Sequence, residues 1–159
     1  MDIPVTTAIR ALRAGHAAFT PRVYDYAEHG GTDRAARELG IAEHETVKTI
    51  VMETEAKKPF IVLMHGDREI STKQMARLLG VKSVAPCSPE CATRHTGYLV
   101  GGTSPFGTRK PLPVYAEASL FDLPRLFING GRRGLLVEIA PDVLDRLLRP
   151  QRVQVAVGK

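Results

Sequence analysis

Two glycine-rich stretches, each following a short apolar run, constrain this chain more than anything else in it. The first, Gly101-Gly102-Thr103-Ser104-Pro105-Phe106-Gly107, follows Tyr98-Leu99-Val100. The second, Asn129-Gly130-Gly131-Arg132-Arg133-Gly134, follows Leu126-Phe127-Ile128 and precedes Leu135-Leu136-Val137-Glu138-Ile139. Glycine permits positive φ and lacks the Cβ that would hold a ligand away, while proline fixes φ. Such loops can therefore bring backbone N–H groups and Ser104 close to a bound molecule. One loop of this kind also suits a hairpin with no function. Two of them at apolar strand ends predict a single site built from both, with Arg132 and Arg133 adding charge that suits phosphate.

The rest of the chain alternates short elements. Thr6 or Thr7 caps a helix running to Ala14, with Ala8, Ile9 and Leu12 inward and Gly15 as its stop. Arg22 to Tyr26 has strand character that puts Tyr24 and Tyr26 on one face and Val23 on the other. Thr32 or Asp33 caps a helix to Leu39, ended by Gly40. Val47–Met52 and Phe60–Met64 read as paired strands. Helices begin at Ser71 or Thr72, stopping at Gly80, and at Ser88-Pro89. Strands follow at Leu112–Tyr115, Arg125–Ile128 and Leu135–Ile139, then a helix from Pro141 to Leu148 and a last strand Val153–Val157. Several neighbouring strands lack a crossover helix, which predicts an α+β fold with a mixed, mostly antiparallel curved sheet flanked by helices, and argues against a doubly wound one.

A chain of 159 residues with 43% hydrophobic content and no repeat or low-complexity linker predicts one domain spanning residues 1–159. It holds no apolar run of about 20 residues and no signal-peptide pattern, so the expectation is a cytoplasmic protein without a membrane partner. A formal net charge of +5 favours an anionic partner. Basic residues in loops, including Arg109, Lys110, Arg132 and Arg133, are placed to reach phosphates. Cys87, Cys91 and His95 recur every four residues and form the candidate zinc set. No fourth ligand is evident and Gly97 ends the segment, so the thiols are read as reduced and structural, with no metal and no cofactor expected. None of the five histidines lies in a serine- or cysteine-hydrolase signature.

Three motifs in order, Val47-Lys48-Thr49-Ile50-Val51, Thr96-Gly97-Tyr98-Leu99-Val100-Gly101-Gly102-Thr103-Ser104-Pro105, and Gly130-Gly131-Arg132-Arg133-Gly134-Leu135 with Val137-Glu138-Ile139-Ala140-Pro141, carry a resemblance. The chain resembles the YbaK/EbsC family of free-standing aminoacyl-tRNA deacylases over nearly its whole length, and within it the bacterial Cys-tRNA(Pro) deacylase branch. The resemblance implies a barrel-like mixed sheet, no metal, and a hydrolase that cleaves the ester of mischarged tRNA, above all Cys-tRNA(Pro). Its implied partners are aminoacylated tRNA and prolyl-tRNA synthetase, rather than DNA. Removal of alanine or another small residue, and a non-catalytic tRNA- or partner-binding module, are the alternatives.

Lys48 breaks an apolar strand, and by pattern alone it suits an outward, solvated lysine. The resemblance assigns it to the active site instead, where a cation can hold the substrate end and stabilise charge on the ester carbonyl. Tyr24, by pattern equally a core tyrosine, corresponds to an active-site tyrosine of the family that orients the terminal nucleotide. Thr49, Gly101, Gly102, Ser104, Asn129 and Gly130 are carried over as pocket positions. In the cysteinyl case the resemblance implies that the substrate's own thiol attacks. Asn129 and Arg132 stand where that branch usually has serine and lysine. Gly30-Gly31 falls where an aromatic residue is expected, and Leu136 replaces a polar residue seen in some relatives.

Overall fold

The computed structural model describes residues 3–158. Helix α1 (Thr7–Ala14) is capped by Thr6, whose hydroxyl accepts from the N–H of Ile9 at 3.0 Å, and it buries Ala8, Ile9 and Leu12. Then come β1 (Thr20–Val23), α2 (Gly31–Leu39), β2 (Thr46–Thr54), β3 (Pro59–His65), β4 (Glu69–Ile70), α3 (Thr72–Leu79), β5 (Val84–Pro86) and α4 (Pro89–Thr96). The chain continues through β6 (Val114–Glu117), β7 (Leu126–Arg132), β8 (Leu135–Ile139), α5 (Asp142–Leu148), β9 (Gln151–Val153) and β10 (Ala156–Val157). Ser71 and Ser88 cap α3 and α4 through their hydroxyls, and Gly40, Gly80 and Gly97 end α2, α3 and α4 in the left-handed conformation.

The main sheet has the order β1-β8-β7-β2-β3-β6-β9, with β5 also paired to β2, and β10 pairs separately with β4. β1/β8, β7/β8, β2/β3 and β2/β5 are antiparallel, whereas β2/β7, β3/β6 and β6/β9 are parallel. The sheet is therefore mixed, mostly antiparallel and open, as expected for α+β. Alternation along each strand divides the core. Val47, Val51, Ile61, Leu63, Ile128 and Val137 meet α1, α4 and α5 on one face. Met52, Val62 and Met64 meet Met75 of α3 on the other, and Phe127 and Leu136 pack there beneath Ala35 of α2. No described helix is long and apolar enough to cross a membrane.

β2 is paired along its full length with β3 but only in part on its other side. It meets β7 at Thr46 and Val47 and β5 at Met52–Thr54, leaving residues 48–51 between those two ladders. The N–H of Cys87 reaches the carbonyl of Val51 at 2.9 Å. Since successive residues turn their backbone groups to opposite sides, those of Thr49 point the same way as those of Val51, into the gap.

Several expectations shift. Tyr98-Leu99-Val100 is no strand: Tyr98 is buried, its hydroxyl donating to the carbonyl of Phe106, whereas Leu99 and Val100 are exposed. A turn closed by Gly102 N–H on Leu99 carbonyl replaces the ladder. β1 stops at Val23 because its partner β8 ends at Leu135, so both tyrosines lie on the segment beyond it and Val23 is exposed. Neither Thr32 nor Asp33 caps α2, whose cap is Gly30; the Thr32 hydroxyl goes to Glu43 and to the carbonyl of Gly66. The last strand divides between two sheets, as β9 and β10.

His65 is buried at the end of β3, held by the carbonyl of His44 at 2.8 Å and the Ser119 hydroxyl at 2.7 Å, with the His44 ring stacked on it. Burial is the main cause lowering its pKa below the usual histidine value. The unfolded chain, titrating near pH 6.5, then takes up the proton first. This contribution to stability is fully present above that pH and is lost as pH falls toward the folded pKa. His95, also lowered by burial, acts in the same sense. We expect the thermal midpoint to fall on acidification through about pH 6.5. The fall should be shallower in His65→Asn, and equal slopes would discard this assignment.

Candidate active site

A cleft of about 550 Å³ opens over the incompletely paired stretch of β2. One wall is α2 with the Tyr24–His29 segment leading into it. Pro86 and Cys87 also line it, as does the Val100–Thr103 turn, whose Gly101 lies against the hydroxyl of Tyr26. Arg34 fastens the tyrosine segment to α2 through a 2.8 Å bond to the carbonyl of Asp25.

Lys48 lies on the same face of β2 as Thr46 and Ile50. The register carries that face onto Phe127, Asn129 and Leu136 of the neighbouring strands. Its side chain is only 19% exposed, and Nζ stands 3.5 Å from Oε1 of Glu69, itself 57% exposed. A pair with so exposed an acid is worth at most about 1 kcal/mol, so the ammonium can be given over to a ligand oxygen. Tyr24 packs against the cluster of Ala35, Phe127 and Leu136. Burial, and then neighbouring Tyr26, raises its phenol above the usual value. It stays protonated and able to donate a hydrogen bond.

The two glycine-rich loops meet. Asn129 Nδ2 donates to the carbonyl of Gly101 at 2.9 Å, while its Oδ1 accepts from the N–H groups of Gly131 at 2.8 Å and Arg132 at 3.2 Å. Arg133 donates to the carbonyl of Val100 at 2.9 Å and lays its guanidinium over the ring of Tyr26. Gly102 is where the loops touch, since a Cβ there would lie 2.9 Å from the backbone nitrogen of Arg133.

Thr49 lies on the cleft floor, its Oγ1 buried and without a hydrogen-bond partner among the described residues. An unpaired buried hydroxyl costs about 1–3 kcal/mol, which points to a polar atom supplied by a ligand. Lys48, Tyr24, Thr49, Gly101 and Asn129 thus come together. Ser104 does not join them: it is fully buried with its hydroxyl accepting from the N–H of Phe106 at 3.1 Å, shaping the turn from behind. Gly102 and Gly130 likewise lie outside the lining, and Gly130 has room only for a hydrogen, against Leu135 and Val137.

Arg109 and Lys110 are exposed beside the end of α4, where Nζ of Lys110 stands 3.2 Å from Nδ1 of His95. Arg132 is exposed at the β7–β8 hairpin. Sequence reasoning missed Tyr26, Arg133's role as a rim contact, and Cys87. The tyrosine pair was visible, but nothing in the sequence brings Cys87 to the cleft.

Residues 29–147 match the family model of the aminoacyl-tRNA editing domain. The chain belongs to that family. This editing domain is 27% identical over 135 residues to an Enterococcus faecalis protein with the provisional name Cys-tRNA(Pro)/Cys-tRNA(Cys) deacylase EbsC, covering 83% of this chain and 82% of that protein. It is 32% identical to part of the proline–tRNA ligase of Nitratidesulfovibrio vulgaris strain DP4, over 52% of this chain but only 14% of the ligase. Among solved structures, a protein described provisionally as a trans-editing enzyme for prolyl tRNA synthetase superposes with a TM-score of 0.83 at 25% identity, covering 98% of this chain and all 100% of that one. The resemblance to the YbaK/EbsC deacylases is borne out.

Proposed function

We propose that this editing domain, acting as a single unit over the whole chain, hydrolyses the ester between a wrongly attached amino acid and the terminal adenosine of tRNA, with cysteine on tRNA(Pro) as the preferred substrate. One observation carries the reading: the ammonium of Lys48 lies on a half-buried cleft wall, in a cleft that also holds the buried hydroxyl of Thr49, which has no hydrogen-bond partner among the described residues. This suits a developing oxyanion. Tyr24 donates to the terminal nucleotide, and the loops at Gly101 and Asn129 close around the aminoacyl group.

The cleft's thiol, Cys87, has its pKa pushed up to about 12, chiefly by burial. A thiol so fully protonated is a poor nucleophile. In the reading that the resemblance to the Cys-tRNA(Pro) deacylases supports, the attacking group comes with the substrate: the cysteinyl sulfur adds to its own ester carbonyl, the ribose oxygen leaves and takes the thiol proton, and water opens the resulting thiolactone. The protein supplies alignment and charge stabilisation, each worth several kcal/mol of barrier.

The test is a deacylation panel of Cys-tRNA(Pro), Ala-tRNA(Pro), Ser-tRNA(Pro) and Cys-tRNA(Cys) against spontaneous hydrolysis. Fast loss of cysteine and slow loss of serine is expected. Fast loss of serine or alanine would overturn the thiol mechanism, and no acceleration of any ester would leave a tRNA-binding module. Arg132→Ala should lower the log–log salt slope of tRNA binding by about 0.7–0.9, the share of one phosphate contact. Arg132→Ala with Arg133→Ala should lower it further. An unchanged slope would move the RNA surface to Arg109 and Lys110.

A further inference from the structure

Three elements bring two thiols and a carboxylate together at one end of the cleft. Glu53 comes from β2, Cys87 follows β5, and Cys91 occupies the first turn of α4. One ligand atom from each lies within 4.8 Å of the others. Glu53 shares the face of Val51, toward α4, and Cys87 is pinned to Val51 by its N–H, so their spacing is fixed by the sheet. Cys91 is held by the Ser88 cap, whose hydroxyl accepts its N–H at 3.2 Å. The set is therefore carried on rigid backbone rather than on a loose loop.

We propose that Glu53, Cys87 and Cys91 form a binding site for a zinc-like divalent cation, one that leaves a fourth position open. Zinc–sulfur and zinc–oxygen bonds of about 2.3 and 2.1 Å set tetrahedrally place sulfur and oxygen about 3.6 Å apart. The separation of Cys91 Sγ from Glu53 Oε2 is 3.6 Å. Two thiolates and a carboxylate select a soft or borderline cation over magnesium or calcium. The guanidinium of Arg94, 3.6 Å from Cys91 Sγ, offsets the surplus negative charge of the loaded site. His95, the third ligand that spacing along the chain suggests, is replaced by Glu53, its Nδ1 being engaged by Lys110 at 3.2 Å.

Cys87 also lines the cleft, so a bound cation would lie in its wall. Cation binding must displace the thiol protons, so affinity rises with pH. Neither Lys48 nor Tyr24 supplies a ligand, and deacylation is expected to persist after chelation. That separates failure of this site from failure of the deacylase reading.

The test uses Co(II) added to the full-length protein kept reduced by a phosphine. Expected are thiolate-to-cobalt absorption in the near ultraviolet and strong tetrahedral bands in the visible, saturating at one equivalent, displaced by Zn(II), with both thiols then protected from a thiol reagent. Cys87→Ser with Cys91→Ser should abolish the bands. Glu53→Gln should weaken binding beyond the 10-fold lower bound of about 10- to 100-fold typical of outer-shell changes, and His95→Ala should leave it unchanged. Circular dichroism checks that each variant is folded. A cobalt spectrum identical to the aqueous ion in the wild-type protein, thiols equally reactive with and without metal, or dependence on His95 rather than Glu53 would each overturn the proposal.

Discussion

Lys48→Ala is expected to slow deacylation of Cys-tRNA(Pro) by at least about 100-fold while the protein stays folded, the loss that follows removal of one preorganised contact to a developing oxyanion. The two halves of this expectation have separate grounds. The Lys48 ammonium stands on a shielded cleft wall, where its field acts in a lower dielectric than water. Its ion pair among the described residues is with a largely exposed acid, so little stability goes with it. Single-turnover rates at saturating protein would report the first, and thermal unfolding the second. A folded variant with near-normal turnover would remove Lys48 from the active site. Glu69→Gln provides a control, since it should leave the rate within a few-fold of normal.

Gly101→Ala should produce the next largest effect. Gly101 has φ of +93°, and a Cβ there would lie 2.5 Å from the hydroxyl oxygen of Tyr26. A side chain in that backbone region costs about 1–3 kcal/mol, equivalent in a protein of this size to a fall of very roughly 2–12 °C in thermal midpoint. Tyr26 must also move, which releases the guanidinium of Arg133 stacked on it and the rim that Arg133 ties to Val100. We expect kcat/KM to fall by at least about 10-fold, since misplacing a positioning element by an ångström can cost up to about 100-fold. Adding Tyr26→Phe removes the colliding oxygen and should restore part of the loss. If the double variant is as poor as Gly101→Ala alone, the steric account fails.

What could be read from the sequence was what is decided locally. Ser71, Ser88 and Thr6 cap where expected because a hydroxyl and an N–H three residues on are all that a cap needs. Leu135–Ile139 is a strand at its expected bounds because its pattern agrees with its neighbours. β4 and β5, of two and three residues, are too short to show any periodicity and exist only through their partners. Tyr98-Leu99-Val100 has the composition of a strand but joins no ladder of either sheet. The meeting of the two glycine-rich loops was legible, yet the contacts that join them were not. Ser104 showed the limit of composition: a serine in a glycine-rich turn suits a ligand and its own backbone equally, and tertiary packing assigns it to the latter. Glu53 gave no signal at all, because its relation to Cys87 and Cys91 passes through the β2–β5 ladder.

The short interruption beside β2 also sets a size limit on what can use it. A strand with free backbone groups at the rim of a sheet invites any passing extended chain and is an aggregation hazard. Here the stretch is three residues, 48–50, closed at one end by β7 and at the other by the N–H of Cys87 on the carbonyl of Val51, followed by β5. At about 3.3 Å per residue, that window spans about 10 Å, too little for another strand to join with useful register. It can admit an amino acid and the sugar to which it is linked. The same backbone that would be a liability along an open margin becomes a measuring slot when both its ends are stopped.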